Sequence, residues 1–118
     1  MVGRFFAALL LALQAQLVFA VGASPQVNID FSLSPVSKDL TQQSVFQTYQ
    51  DRQGALWFVT QEGLNKYTGK NLENFRYSSK NKHSLSSDSV TRIAEDTHGK
   101  IWVTTNGGGL NQYNPVKN

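Results

Sequence analysis

An internal repeat is the feature that most constrains how this chain of 118 residues can fold. The segment SVFQTYQDRQGALWFVT, residues 44–60, aligns with SVTRIAEDTHGKIWVTT, residues 89–105, at a constant offset of 45 positions. One additional glycine then shifts the offset to 46, and GLNKY, residues 63–67, aligns with GLNQY, residues 109–113. Both tryptophans of the chain occupy the same place in the repeat. A fixed period of this length is typical of folds that stack one structural unit several times.

Each copy of the repeat is predicted to form short strands separated by tight turns. The apolar runs are rich in β-branched and aromatic residues, which favour strands. Asp-x-x-Gly precedes the tryptophan in both copies and favours a turn, because Asp can bond the following backbone and Gly accepts a positive φ. The predicted strands of the first copy are residues 45–49, 56–60, 64–67 and 72–77, and the second copy repeats the first three of them.

The positions that recur in both copies are predicted to be structural. Recurring Asp and Gly residues suit turns, whereas a catalytic residue would not be expected at the same place in every unit. The two tryptophans are expected to fill the space between neighbouring units, and each ring would bury on the order of 150–250 Å². The recurring positions are Asp51, Gly54, Trp57, Gly63, Tyr67, Asp96, Gly99, Trp102, Gly109 and Tyr113.

Four short antiparallel strands per unit predict an all-β fold, an incomplete β-propeller of about two four-stranded blades after an N-terminal signal-peptide helix. We expect the first blade at residues 44–77, a linker loop at 78–88 and a second, incomplete blade at 89–116. Residues 27–34 resemble the fourth strand and are expected to be an orphan outer strand that closes the ring in a full propeller. A β-sandwich is the alternative, but it would not require these turn residues and a tryptophan at one period. Because a ring needs roughly 4–8 blades, the chain is expected to be a fragment.

Residues 1–23 are predicted to be a signal peptide. Arg4 supplies a positive charge, residues 5–13 are an uninterrupted apolar run, and small residues precede the favoured cleavage site after position 23. Two glutamines interrupt the apolar stretch, which argues against a transmembrane helix of about 20 residues; an uncleaved anchor is the alternative. Both interpretations predict an exported chain. Since the chain has no cysteine to form a disulfide, residues 24–118 alone are expected to be oligomeric, aggregated or partly unfolded.

Two segments of the sequence resemble a known repeat family. SVFQTYQDRQGALWFVTQEGLNKYTG and SVTRIAEDTHGKIWVTTNGGGLNQYNP look like the two-component regulator propeller repeat. HSLSSDSV, residues 83–90, resembles the segment that precedes each new blade, and the resemblance covers about residues 27–116. The sequence departs from the family pattern where Gly-Thr usually follows Trp-x, since residues 59–60 are VT and residues 104–105 are TT. It also has YTG at residues 67–69, where the family usually has Tyr-Asp-Gly.

The resemblance implies a function that the residues alone do not. Propellers of this family are periplasmic sensor modules of bacterial transmembrane receptors, with a histidine kinase or a diguanylate cyclase as the output. The implied partners are a small-molecule or carbohydrate ligand, further propeller blades and a membrane-linked output domain in a full-length relative. By this interpretation the chain is exported and periplasmic, is membrane-tethered in a full-length receptor, and is not itself an enzyme. The alternatives are an exported propeller enzyme, a lyase or hydrolase, and a protein-binding or adhesion module.

The sequence indicates no catalytic residue, cofactor or metal site. Ligand binding is expected at loops on one end of the blades, because rigid strands can hold variable loops in place. An enzyme would need a cluster of His, Arg or carboxylate residues that breaks the repeat, and the sequence shows none. The candidate ligand-binding positions are Gln61, Glu62, Asn106 and Gly107.

Other polar features are predicted to have ordinary structural roles. The glycines after Asn106 lead into a strand rather than a helix, unlike those of a phosphate-binding loop. The acidic pair Glu95-Asp96 becomes Gln50-Asp51 in the other copy, which argues against paired carboxylate chemistry. Neither histidine has companion metal ligands at a suitable spacing, and a net charge of +3 gives no reason to expect nucleic acid as a partner. The residues expected to be solvated are Arg76, Lys80, Lys82, His83 and His98.

Overall fold

The structure is a computed structural model that describes Gly22 and residues 24–115. Of the predicted signal peptide, only Gly22 is among these residues. The last residue predicted for the second blade, at position 116, lies outside them. The chain divides into two compact units, Met1–Ser32 and Leu33–Asn118. In the first unit, residues 24–32 are exposed and form neither helix nor strand, so the ring-closing strand stays a prediction. No helix within the described residues is long and apolar enough to span a bilayer.

The second unit begins with a short helix and a four-stranded sheet, called blade 1. The 3-10 helix Pro35–Asp39 was not expected from the sequence pattern. Each strand of blade 1 pairs in antiparallel fashion with the next, in the order β1-β2-β3-β4. The bounds of these strands are β1 Gln47–Gln50, β2 Leu56–Thr60, β3 Gly63–Tyr67 and β4 Leu72–Phe75. The last strand ends earlier than expected, and Tyr77 forms an isolated parallel bridge with Leu85 in the linker loop.

A second sheet, called blade 2, repeats the first three strands of blade 1. Its strands are β5 Val90–Glu95, β6 Ile101–Thr105 and β7 Gly109–Tyr113, and they pair in antiparallel fashion in the order β5-β6-β7. A bulge interrupts the register of β5 near its start, between Val90 and Arg92. Two antiparallel sheets of four and three strands confirm the predicted all-β fold with incomplete propeller blades.

Side chains alternate along each strand, so each blade has two faces. The face that carries the tryptophan, called the tryptophan face, holds Trp57 and Val59 in blade 1 and packs against blade 2. Blade 2 meets it with its opposite face, which carries Ile101 and Val103. The tryptophan face of blade 2 therefore points away from blade 1, and Trp102 is only half-buried there.

The hydrophobic core lies between the two blades and belongs to both of them. Half-buried aromatic residues close its outer side, with Tyr113 packed edge-on against Trp57 at 5.0 Å between ring centroids and against Phe75 at 5.6 Å. The position predicted for Trp57, between adjacent blades, is where the structure places it, with its side chain completely buried. The buried core residues are Trp57, Val59 and Leu64 from blade 1 and Val90, Ile93, Ile101 and Val103 from blade 2.

A polar contact ties the segment before each blade to the third strand of that blade. In blade 1, Asn65 Oδ1 accepts a hydrogen bond from the Thr41 backbone N–H at 2.9 Å, and Asn65 Nδ2 donates to Thr41 Oγ1 at 2.9 Å. In blade 2, Asn111 makes the same pair of bonds with the backbone and side chain of Ser86, at 3.0 and 2.8 Å. The asparagine of the recurring Gly-Leu-Asn sequence thus holds the chain where it enters the blade, and we call this contact the entry strap.

Candidate functional site

The two blades are joined by polar side chains at their first strands, β1 and β5, and we call these contacts the clasp. The Gln47 side-chain amide donates to the Ile93 carbonyl at 3.1 Å and accepts from the Ile93 N–H at 3.0 Å, as another strand would. Glu95 Oε2 accepts from the Tyr49 hydroxyl at 3.1 Å and from the Arg52 backbone N–H at 3.0 Å. Burial raises the pKa of the Tyr49 phenol, and its hydrogen bond to Glu95 raises the pKa further. These bonds hold the first strands of the two blades against each other.

Beside the hydrophobic core, between the two blades, lies an opening. It is a cleft of about 740 Å³ between β3 and β4 of blade 1, the linker loop, and β7 of blade 2. Its apolar wall includes Leu64, Phe75, Val103 and Tyr113. Amide side chains line much of the rest, a combination of apolar surface and a few polar groups that is usual for small-molecule sites. The polar lining includes Asn74, Asn81, Asn111, Gln112 and Asn114.

Lys66 is the cation best placed to act in this cleft. Its Nζ lies 5.4 Å from the centroid of the Trp57 ring and 5.2 Å from that of Tyr113, and it donates to the Tyr113 hydroxyl at 3.4 Å. Two aromatic rings within about 6 Å hold the ammonium group by cation–π attraction. The geometry therefore places a positive charge next to an aromatic surface, while Glu73, the cross-strand neighbour of Lys66, adds a carboxylate to the lining of the same cleft.

The four ligand-binding positions predicted from the sequence lie elsewhere, in the turns β2–β3 and β6–β7. Glu62 Oε2 is 3.8 Å from an Arg76 guanidinium nitrogen, and the Asn106 carbonyl accepts from the Ser87 hydroxyl at 3.1 Å. The turns occupy equivalent ends of the two blades, but none of the four positions, Gln61, Glu62, Asn106 and Gly107, lines the cleft. The structure does not test whether they bind a ligand, so they stay predictions.

Sequence reasoning missed Lys66, although a signal for it was present. Lys66 aligns with Gln112, so it is a position at which an otherwise close repeat differs between its two copies. A search for residues that break the repeat would have selected it together with Gln47 and Tyr49, which align with Arg92 and Ala94. Attention to recurring residues selects the blade scaffold instead, since those residues serve every blade alike.

The recurring aspartates lie in turns, where each carboxylate binds its own tryptophan. Asp51 Oδ1 accepts from the backbone N–H groups two and four residues later, and Asp51 Oδ2 accepts from Trp57 Nε1 at 2.8 Å. Asp96 repeats all three bonds, with Trp102 Nε1 at 2.9 Å. The carboxylates are therefore occupied in closing the turn and orienting the indole, which leaves them in structural positions.

The pH dependence of folding should report on the Asp96 turn. The indole N–H of Trp102, followed by the Lys100 backbone N–H, lowers the pKa of Asp96 below its ordinary value of 3.8. A carboxylate whose pKa is lowered on folding stabilises the folded chain above about pH 4, and that stabilisation is lost as the pH falls through the folded-state pKa. We expect urea unfolding to show a smaller loss of stability on acidification in Asp96→Asn than in the unaltered chain. Equal pH profiles for the two proteins would show that this carboxylate contributes nothing.

The histidines and the basic residues of the linker show no shared arrangement. His83 lines the cleft, whereas His98 lies in the β5–β6 turn. Arg76 donates to the Thr41 carbonyl at 3.0 Å, so it supports the entry strap of blade 1. Lys80 and Lys82 are exposed, as expected. Within residue 22 and residues 24–115, no three His, Cys, Asp or Glu side chains are grouped so that they could hold a metal ion.

Comparison with known proteins matches both copies of the repeat. Residues 39–62 and 84–107 match the family model described as two component regulator propeller. Each matched segment runs from the residues around the entry strap, through the first two strands of a blade, to the turn after the tryptophan strand. Repeats of this family form a non-catalytic propeller domain found in two-component regulators. No curated protein matches the chain.

Proposed function

We propose that the chain forms a ligand-sensing part of a propeller in the periplasmic region of a bacterial transmembrane receptor, because it carries two repeats that match the two component regulator propeller family. The observation that carries this proposal is that both family repeats form blades, joined face to face, with a cleft open beside the joint. In the receptor, a membrane-linked histidine kinase or diguanylate cyclase would supply the output. The chain's own contribution is binding.

The proposed ligand is a carbohydrate fragment bound in the cleft. Sugars offer hydroxyl groups to amides and an apolar ring face to aromatic side chains, and this cleft combines both kinds of surface. Tyr113 supplies the aromatic wall, and Lys66 supplies a charge for a hydroxyl, carboxylate or sulfate substituent. Binding between blades would also connect the ligand to the hydrophobic core, because Tyr113 packs against Trp57 there.

Calorimetric titration with a panel of neutral and acidic oligosaccharides tests the ligand proposal. We expect saturable binding by at least one of them, and at least a tenfold weaker affinity, about 1.4 kcal/mol, in Lys66→Met. Methionine keeps an unbranched apolar side chain against the rings but removes the charge. The matched control is Lys70→Met, since Lys70 is exposed in the β3–β4 turn and does not line the cleft. Absence of binding across the panel, or equal effects of the two variants, would contradict the carbohydrate proposal.

Cell fractionation followed by intact mass measurement tests the periplasmic location. We expect the protein in the periplasmic fraction with Ser24 as its first residue, because the predicted cleavage site follows position 23. Changing Arg4 and the apolar run to polar residues should retain the chain in the cytoplasm at its full mass. A full-length chain in the cytoplasm of unaltered cells would overturn the location and, with it, the receptor proposal.

A further inference from the structure

Equivalent residues of the two blades differ sharply in exposure, and the difference identifies two uncovered surfaces. Leu64 on the tryptophan face of blade 1 is 2% exposed, whereas its equivalent on blade 2, Leu110, is 61% exposed. On the other side, Val90 of blade 2 is 1% exposed, whereas its equivalent Val45 before β1 is 39% exposed. At the joint, the tryptophan face of blade 1 packs against the opposite face of blade 2. The opposite face of blade 1 and the tryptophan face of blade 2 are therefore left uncovered.

We propose that a second copy of this chain covers these surfaces by head-to-tail association. The tryptophan face of blade 2 in one copy would pack against the opposite face of blade 1 in the next copy. The joint inside the chain is the template for this contact, because it pairs the same two kinds of face in the same order along the repeat. Half-buried Leu56 and Phe58 on blade 1 correspond to buried Ile101 and Val103 on blade 2, so the receiving face is also apolar.

The clasp residues indicate how strong this association should be. Two clasp residues of blade 1, Gln47 and Tyr49, correspond to Arg92 and Ala94 in blade 2. The clasp residue Glu95 of blade 2 corresponds to Gln50 in blade 1. The Arg92 guanidinium can donate to a backbone carbonyl but cannot accept from an N–H, and Ala94 offers no hydroxyl. The contact between copies therefore lacks most of the hydrogen bonds of the clasp, and it should be weaker than the joint inside the chain and reversible on dilution.

A head-to-tail contact uses two different surfaces, so it can be blocked separately on each side. Sedimentation velocity of the purified chain should show assemblies that shrink towards single chains over about a hundredfold dilution. Leu110→Asp and Val45→Asp should each give single chains at all these concentrations, because each variant places a charge in one of the two surfaces. Both side chains are exposed, so neither change should unfold the chain. The matched control is Leu33→Asp, since Leu33 is 82% exposed but belongs to neither blade. It should associate like the unaltered chain.

Mixing the two blocked variants distinguishes head-to-tail association from every other arrangement. Val45→Asp retains an intact tryptophan face on blade 2, and Leu110→Asp retains the surface that receives it. An equimolar mixture should therefore form a dimer of about twice the single-chain mass, although neither variant forms it alone. A symmetric contact would be blocked by one variant only and would not be rescued by mixing. Single chains at every concentration of the unaltered protein, or association that all three variants leave intact, would overturn the proposal.

Discussion

Replacing Trp57 by alanine is expected to lower the free energy of unfolding by about 4 kcal/mol. The Trp57 side chain is completely buried between the blades, where its ring stacks on Phe75 at 6.1 Å and meets Tyr113 edge-on at 5.0 Å. Its removal would leave a cavity at the centre of the only core that the described residues share, and would leave the Asp51 carboxylate without its indole donor. Urea unfolding followed by far-ultraviolet circular dichroism measures this loss.

The repeat supplies the matched control for this experiment, Trp102→Ala. Trp102 donates to the equivalent aspartate, Asp96, at 2.9 Å, but it is only half-buried, because its face of blade 2 has no neighbour in the described chain. The same change of side chain should therefore cost less than about 2 kcal/mol. Comparable losses for the two variants would show that the turn bond to aspartate, rather than burial between blades, determines what each tryptophan contributes.

The blade architecture could be predicted because it depends on residues that recur. The strand of Trp57 has the predicted bounds, and Gly54 and Gly99 adopt the positive φ angles, 89° and 78°, that the Asp-x-x-Gly turns require. These features are local, since a turn type and an alternating strand can be inferred from a few neighbouring residues. Which face of each blade packs at the joint was less predictable, because it depends on the side of blade 1 on which blade 2 lies.

The cleft and the clasp could not be predicted, because both are formed by residues far apart in the chain. Gln47 binds Ile93 and Lys66 binds Tyr113, and the partners lie about one full repeat apart. No motif marks such a pair, since Gln47, Ile93 and Lys66 each differ from their equivalents in the other copy. The early end of β4 has a similar origin: the Tyr77 N–H donates to Asp88 Oδ1 at 2.6 Å, so a side chain of the linker takes the place of a strand partner.

Asn65→Ala is expected to have the second-largest effect, lowering the free energy of unfolding by about 3 kcal/mol. The Asn65 side chain is completely buried and binds the Thr41 backbone and hydroxyl, both at 2.9 Å. Asn74 Nδ2 also donates to Asn65 Oδ1 at 2.9 Å. Alanine would leave the buried Thr41 N–H without an acceptor, and an unsatisfied buried group costs more than a hydrogen bond contributes. Urea unfolding of the variant measures the loss, and proteolysis near Thr41 should accelerate if the entry strap is what holds that segment.

Asn111→Ala tests whether burial or the strap itself determines the size of this effect. Asn111 makes the same two bonds, to the Ser86 N–H at 3.0 Å and to its hydroxyl at 2.8 Å, but it is only half-buried. Water can replace the lost partner there, so we expect a loss of about 1 kcal/mol. A larger loss at Asn111 than at Asn65 would contradict this account. It would mean that the entry strap of blade 2, next to the linker and the cleft, organises the joint between the blades more than the buried strap of blade 1 does.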